Sequence, residues 1–377
     1  MVAEDIRVLY YTDPTAFQIF GGGEIHMLKT KEYLEKKNRH ITVKLFDIFK
    51  DKLVEYDILH IFHMRPDCLS ICKLARIKGL KIVLSPIYWS GVRDVLGAFK
   101  YGSVLEEILS RARILYVNLK NYKYPTVRAL YPHKDFLDMS DIVLPNSEVE
   151  ATDLSREFRI ESNKFFPVHL GVEQSFADAK PDAFVKKYGL KDFVLYVGRI
   201  DEGKNILTLL EAYENIEVPL VIIGRYNYWE PQYFEKCKKV AEERGNIHFL
   251  GFLPPESEEL VSAYAAAKVF VLPSWLEIPG LAALEAGLAG CNVVITNRGS
   301  TTEYFKNHAL YVNPASKEDI RQKILKAFEK PKNDNLKEHI LNNYTWEKTA
   351  ERTLEAYSLI LSRDSKKIKS GLDSHAP

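Results

Sequence analysis

Short apolar runs separated by helical stretches recur along both halves of the chain, and this alternation limits the possible folds more than any other feature. In the first half, Ile6–Tyr11, Ile41–Phe46, Asp57–Phe62, Lys81–Ser85 and Asp141–Pro145 read as strands. The segments near 22–37, 66–78, 94–113 and 147–158 read as helices. The second half repeats the order, with strands at Phe193–Val197, Leu220–Ile223, Ile247–Leu250, Val269–Leu272 and Val293–Thr296. Joining such strands through helices requires crossovers, so the pattern predicts parallel, doubly wound α/β sheets. With 377 residues the chain can form two domains, each with its own core. The polar, proline-marked stretch Asp178-Ala179-Lys180-Pro181-Asp182 puts the boundary near 172–190.

Composition narrows the function without choosing it. The 46% hydrophobic and 27% charged fractions are ordinary for a globular protein, and a net charge of +1 gives no general case for a nucleic-acid partner. The four cysteines, Cys68, Cys72, Cys237 and Cys291, are irregularly spaced. Cys68 and Cys72 stand at a helical spacing rather than that of a metal knuckle, so a reduced, cytoplasmic chain without disulfides is expected. Met1 to Asp5 leads straight into a strand-like run with no signal pattern, and no apolar stretch approaches the ~20 residues that span a bilayer. Any membrane contact is therefore expected at the surface. The polar tail 365–377 reads as disordered.

Three constellations carry chemistry. In Leu272-Pro273-Ser274-Trp275-Leu276-Glu277-Ile278-Pro279-Gly280-Leu281, a strand runs into a loop bearing Glu277, and Glu285 follows inside an Ala/Leu-rich helix. Both carboxylates can face one polar ligand, and the helix N-terminus between them offers N–H groups to an anion. A sugar, a ribose and a diphosphate would satisfy these features together; the plainer reading is one solvated and one helix-capping carboxylate. The second constellation, Gly198-Arg199-Ile200-Asp201-Glu202-Gly203-Lys204-Asn205, follows a strand and sets two cations across a turn, where they can converge on a diphosphate. In the third, Gly21-Gly22-Gly23-Glu24, glycines between the first strand and helix let the backbone approach phosphate or sugar.

Together these motifs resemble those of the retaining, nucleotide-sugar-dependent glycosyltransferases of the GT-B fold, particularly glycosyltransferase family 4, over nearly the whole chain. The resemblance implies two Rossmann-like, doubly wound domains facing an interdomain cleft. The expected division is an acceptor-side domain (1–175), a donor domain (176–345) and a C-terminal helix (346–364) crossing back to the first domain. It further implies that Glu285 holds the nucleotide ribose and Glu277 the transferred sugar, with Gly280 and Leu281 beside them. Arg199 and Lys204 would grip the diphosphate, and Gly21 and Gly22 would be the paired glycines of the first domain. The donor would be a nucleoside-diphosphate sugar, with a UDP-sugar favoured, and no separate cofactor. The acceptor would be a glycan, a lipid-linked species or a small molecule.

The chain has no Asp-x-Asp to clamp a metal on the diphosphate and no evident enzymic nucleophile. Both absences suit front-face attack, with charge on the leaving phosphate met by cations. The chain also departs from the family pattern. Ile278-Pro279 stands where Gly-Phe is usual, and Ser85-Pro86-Ile87-Tyr88-Trp89 lacks the histidine common after that strand. These departures favour one alternative, a catalytically weak nucleotide-sugar-binding partner subunit. A nucleotide-sugar epimerase of the same fold is the other.

On the acceptor side, His60 and His63 either line the acceptor site or are a core and a surface histidine. The stretch 108–134 interleaves Lys120, Lys123 and Arg128 with Tyr116, Tyr122 and Tyr124 and has no acidic residue. It is either a solvated basic face or a docking surface for an anionic membrane or lipid-diphosphate acceptor. No nucleic-acid motif accompanies it. Ser147, in Asn146-Ser147-Glu148, reads as a helix N-cap.

Overall fold

The computed structural model describes residues 5–18, 21–88, 133–332 and 334–372, with the last turns of the final helix (363–372) described by backbone alone. These residues group into two compact units. Residues up to Leu170, together with those from Trp346 onward, form one; Gly171–Thr345 form the other. The division falls ahead of the proline-marked stretch expected to carry it. The Val172 amide donates to the Tyr344 carbonyl at 3.0 Å, which ties this segment into the second unit.

The first unit is built on a five-stranded parallel sheet: β1 (Ile6–Tyr11), β2 (Ile41–Leu45), β3 (Ile58–Phe62), β4 (Lys81–Ser85) and β5 (Ile142–Val143), in the order β2-β1-β3-β4-β5. Its central strands β3 and β4 are buried along nearly their whole length because both faces are covered, whereas the edge strand β2 alternates, with Thr42 and Lys44 exposed. Val8, Tyr10, Ile58 and Phe62 point to one face, where helix Gly22–Lys37 and the final helix Trp346–Leu372 supply Met27, Leu34, Ala356, Tyr357 and Ile360. Leu9, Leu59 and Ile61 point to the other, with Cys68 and Cys72 from the turn and helix ending at Ile77. The final helix is continuous to Leu372, past the boundary at 364 read from sequence.

The second unit is a six-stranded parallel sheet: β6 (Val194–Val197), β7 (Leu220–Ile223), β8 (Ile247–Gly251), β9 (Val269–Leu272), β10 (Asn292–Thr296) and β11 (Leu310–Val312). The order is β11-β10-β9-β6-β7-β8. Between β9 and β6 it reverses direction, so the loops after those two strands flank the crevice where open α/β sheets take ligands. The short β11 was not expected from sequence; Leu310 and Tyr311 are only half-buried, so its apolar signal is weak.

Several expectations fall on undescribed residues. The helix near 94–113 lies outside the described residues, as does the basic stretch 108–134 apart from its end. There Lys134 Nζ pairs with Asp138 at 3.1 Å in the helix His133–Met139. Among the described residues, no helix is long and apolar enough to cross a membrane, and no group of three or more His, Cys, Asp or Glu could hold a metal ion. All four cysteines are buried and free.

Candidate functional site

Two loops at the carboxyl edge of the second sheet build the site, and their backbones are joined. After β6 the chain turns through Gly198–Asn205. The Tyr196 hydroxyl donates to the Arg199 carbonyl at 2.6 Å, which fixes the start of the turn. Asp201, buried at its centre, accepts from the Lys204 amide at 2.8 Å and pairs with Arg199 Nε at 3.2 Å. Asn205 closes the turn in the left-handed region (φ 59°), which asparagine tolerates better than most residues. Its buried Nδ2 donates to the carbonyls of Pro273 (3.0 Å) and Pro314 (2.8 Å). The Trp275 amide donates to the Gly203 carbonyl at 3.0 Å, so the loop after β6 is pinned to the loop after β9.

Across this seam, Lys204 Nζ donates to Glu277 Oε1 at 2.5 Å, with the Lys204 side chain 18% and that of Glu277 5% exposed. A carboxylate so buried demands a partner, and Lys204 is it. Glu277 Oε2 makes no hydrogen bond among the described residues and lies on the side of Gly280. The Glu277 carbonyl accepts from the Ser300 amide at 3.0 Å. A Cβ on Gly299 (φ 85°) would fall 2.1 Å from that carbonyl oxygen, so only glycine fits there. Gly280 (φ 87°) then turns the chain into helix Leu281–Leu288, whose Leu281 and Ala282 amides make no hydrogen bond among the described residues. Around Glu277, the buried Ser274 Oγ, Ser300 Oγ and Arg298 Nη1 also lack protein partners. The Arg298 guanidinium lies over the Trp275 ring, 5.2 Å from its centre, and its partial burial lowers its pKa.

Glu285 sits on the same helix, just over one turn from its start. The Tyr264 hydroxyl donates to its Oε2 at 2.7 Å. Burial of the carboxyl raises its pKa to about 7, against the lowering effect of that hydrogen bond; Glu256 and Glu173 add repulsion. The carboxyl therefore titrates near neutrality although part of its residue reaches solvent.

The arrangement differs in detail from two cations reaching independently for one anion. Arg199 and Lys204 are linked through Asp201, and Lys204 is also matched by Glu277. The Arg199 side chain stays more than half exposed. Asp201, Asn205, Tyr264, Arg298 and Gly299 shape the site and were not singled out from sequence. Only Asn205, next to Lys204 in a turn, carried a local signal.

The remaining candidates lie in the first unit. Gly21 is the N-cap of helix Gly22–Lys37, and its amide donates to Glu24 Oε2 at 2.7 Å, the one half of a capping box that a glycine can make. The glycine with no room for a side chain is Gly23, where a Cβ would meet His63 Nε2 at 2.5 Å. His63 follows β3 with φ 71°, and burial holds its pKa down at about 4. His60 proves to be the core histidine of the two alternatives. Its Nδ1 pairs with the Tyr357 hydroxyl at 2.6 Å and its Nε2 with Ser85 Oγ at 2.9 Å, and it is 1% exposed. Ser147 is an N-cap, accepting from the Glu150 amide at 3.0 Å.

Two parallel-sheet, Rossmann-like α/β units, the second with a cation- and carboxylate-bearing crevice at its switch point, define the class of protein. Residues 180–345 match the family model described as glycosyl transferases group 1. The O-antigen chain mannosyltransferase B of Escherichia coli is 28% identical over 258 residues, which is 63% of this chain and 66% of that relative's length. Among solved structures, sucrose-phosphate synthase from Thermosynechococcus elongatus superposes with a TM-score of 0.71 at 18% identity, covering 95% of this chain and all of that one. Anabaena HepE in complex with UDP-glucose gives 0.67 at 16% identity, covering 94% and 99%. The structural neighbours are GT-B glycosyltransferases, and at these identities they establish the fold alone.

Proposed function

We propose that the chain is a retaining glycosyltransferase of family 4 type that moves a hexosyl group from a nucleoside-diphosphate sugar to a glycan or lipid-linked acceptor. The observation that carries this reading is the buried Lys204–Glu277 pair, set between the Gly198–Asn205 turn and the Gly280-headed helix. Arg199, Lys204 and the Leu281 and Ala282 amides take the negative charge of the diphosphate. Glu277 Oε2 accepts from a hydroxyl of the transferred sugar, and Glu285 from the ribose. Gly21 and Gly22 keep the backbone at the start of helix Gly22–Lys37 clear of side chains, as a phosphate or sugar ligand there would need.

In the reaction, the bond from the sugar's anomeric carbon to the β-phosphate oxygen breaks as the acceptor oxygen attacks on the same face. The acceptor's proton passes to the departing phosphate. Charge on that phosphate grows through the step, so fixed cations stabilise the transition state more than the ground state. Because those cations supply the compensation, the transfer is metal-independent. His63, held neutral, serves the acceptor side; His60 holds the core. Mannosyl transfer by the Escherichia coli relative and the UDP-glucose bound by Anabaena HepE support a hexosyl donor, with a UDP-sugar favoured.

The test is a thermal-shift screen of UDP-, GDP- and ADP-sugars against the purified chain, since a ligand that binds only the folded form raises its melting temperature. One of them is expected to stabilise the chain in proportion to the logarithm of its concentration. No response to any of the three sugar nucleotides removes the reading.

A further inference from the structure

Tyr226, Tyr228 and Trp229 form an aromatic group that the donor site does not use. They follow β7 at the carboxyl edge of the second sheet, 38%, 71% and 84% exposed respectively. An isolated aromatic on a surface is ordinary, but three in four residues, one of them a nearly bare tryptophan, make a patch of the kind that marks a binding site.

The segment is held in place. Asn227 Nδ2 donates to Glu230 Oε1 at 3.0 Å, and the Trp229 amide to Asn227 Oδ1 at 3.2 Å. Tyr226 stacks on Phe234, rings 4.9 Å apart and 8° from parallel, and meets Tyr228 edge-on at 5.2 Å. The Ile200 amide donates to the Arg225 carbonyl (2.8 Å), the Asn227 amide to the Ile200 carbonyl (3.1 Å) and the Glu202 amide to Glu230 Oε2 (3.0 Å). Those bonds run to the turn that carries Arg199 and Lys204. The rings are therefore preorganised beside the donor loop, so binding them orders little that is mobile.

We propose that Tyr228 and Trp229 are a stacking platform for a neutral oligosaccharide, the growing end or body of the glycan acceptor. This rests on the glycosyl-transfer reading for the role of the glycan, not for its binding. A pyranose presents an apolar face of C–H groups that packs flat on an aromatic ring, while its hydroxyls stay in water. The charges nearby fit a neutral ligand. Tyr226–Glu230 contains no Lys or Arg, Glu202 and Glu230 bring carboxylates, and Arg225 has its guanidinium over the Phe252 ring at 3.8 Å. An anionic membrane or a nucleic acid would need cations at the tip of the loop instead.

The experiment titrates mannohexaose, maltohexaose and cellohexaose into the full chain without donor, following tryptophan fluorescence and calorimetry. At least one is expected to bind, and the variant carrying Trp229→Ala and Tyr228→Ala to bind it roughly tenfold or more weakly, as for other aromatic anchors. An unchanged melting temperature of the variant reports an intact fold. No binding by any of the three, equal binding by the variant, or a chain whose self-association the variant abolishes would overturn the platform. Oligosaccharide binding by a chain that responds to no sugar nucleotide would refute the transfer reading and leave the platform standing.

Discussion

At the scale of single residues, the site depends on charges that are matched before any ligand arrives. Removing Lys204 does more than delete a phosphate grip, because it leaves the Glu277 carboxylate buried without its partner. We expect Lys204→Ala to cost about 3 kcal/mol of stability in urea unfolding. The double variant Lys204→Met with Glu277→Gln should recover most of that loss while staying inactive. Equal stability of wild type and Lys204→Ala would contradict the pairing. Glu285 makes a separate, pH-dependent prediction. Its native pKa of about 7 lies above the ordinary value of 4.5, so between those values the native state holds a proton that the unfolded chain has lost. Its contribution to stability therefore falls as pH rises across that window. Glu285→Gln should gain stability relative to wild type over the same range, read as melting temperature against pH. Since a ribose hydroxyl donates best to the ionised carboxylate, sugar-nucleotide affinity should rise as pH passes about 7 in wild type but not in Glu285→Gln.

At the scale of elements, the final helix is part of the first unit's core. Tyr357 reaches into the sheet face to meet His60 and Tyr10 through its hydroxyl. Tyr357→Phe would keep the ring and strand His60 Nδ1 in a buried place. We expect it to lower stability by about 1–3 kcal/mol, measured by denaturant unfolding. Loss of less than a few tenths would mean that His60 finds another partner. Much at this scale was legible in the sequence, because a parallel strand covered on both faces must be apolar, as β9 is throughout and β3 is but for His60. The places of Arg199, Lys204 and Glu277 in loops after strands, and of Glu285 in the helix that follows, were legible too. What the sequence hid was pairwise. The union of Lys204 with Glu277, Asn205 capping two proline carbonyls, and Tyr264 meeting Glu285 all join residues 21 to 109 positions apart. Nothing local announces them. Whether His60 and His63 line an acceptor site or divide into a core and a surface histidine was hidden for the same reason; the bond to Tyr357 places His60 in the core.

At the scale of the molecule, the two units differ in how the chain supplies them. Among the described residues, the second unit is the continuous stretch Gly171–Thr345 with its own core, whereas the first draws its covering helix from the far end of the chain. Residues 171–345 expressed alone should therefore unfold cooperatively. A chain truncated before Trp346 should lose the cooperative unfolding of the first unit, as followed by calorimetry. The reverse pattern would mean that the units are not the folding units. The most direct test of the proposed chemistry is the release of nucleoside diphosphate from the sugar nucleotide that stabilises the chain, measured with and without a hexose oligosaccharide. Wild type should release it, and faster with acceptor, while the near-isosteric Glu277→Gln, assayed well below a melting temperature that its unpaired Lys204 lowers, should fall by about a hundredfold or more. Full activity in Glu277→Gln would contradict the role given to that carboxylate and, with it, the proposed transfer site.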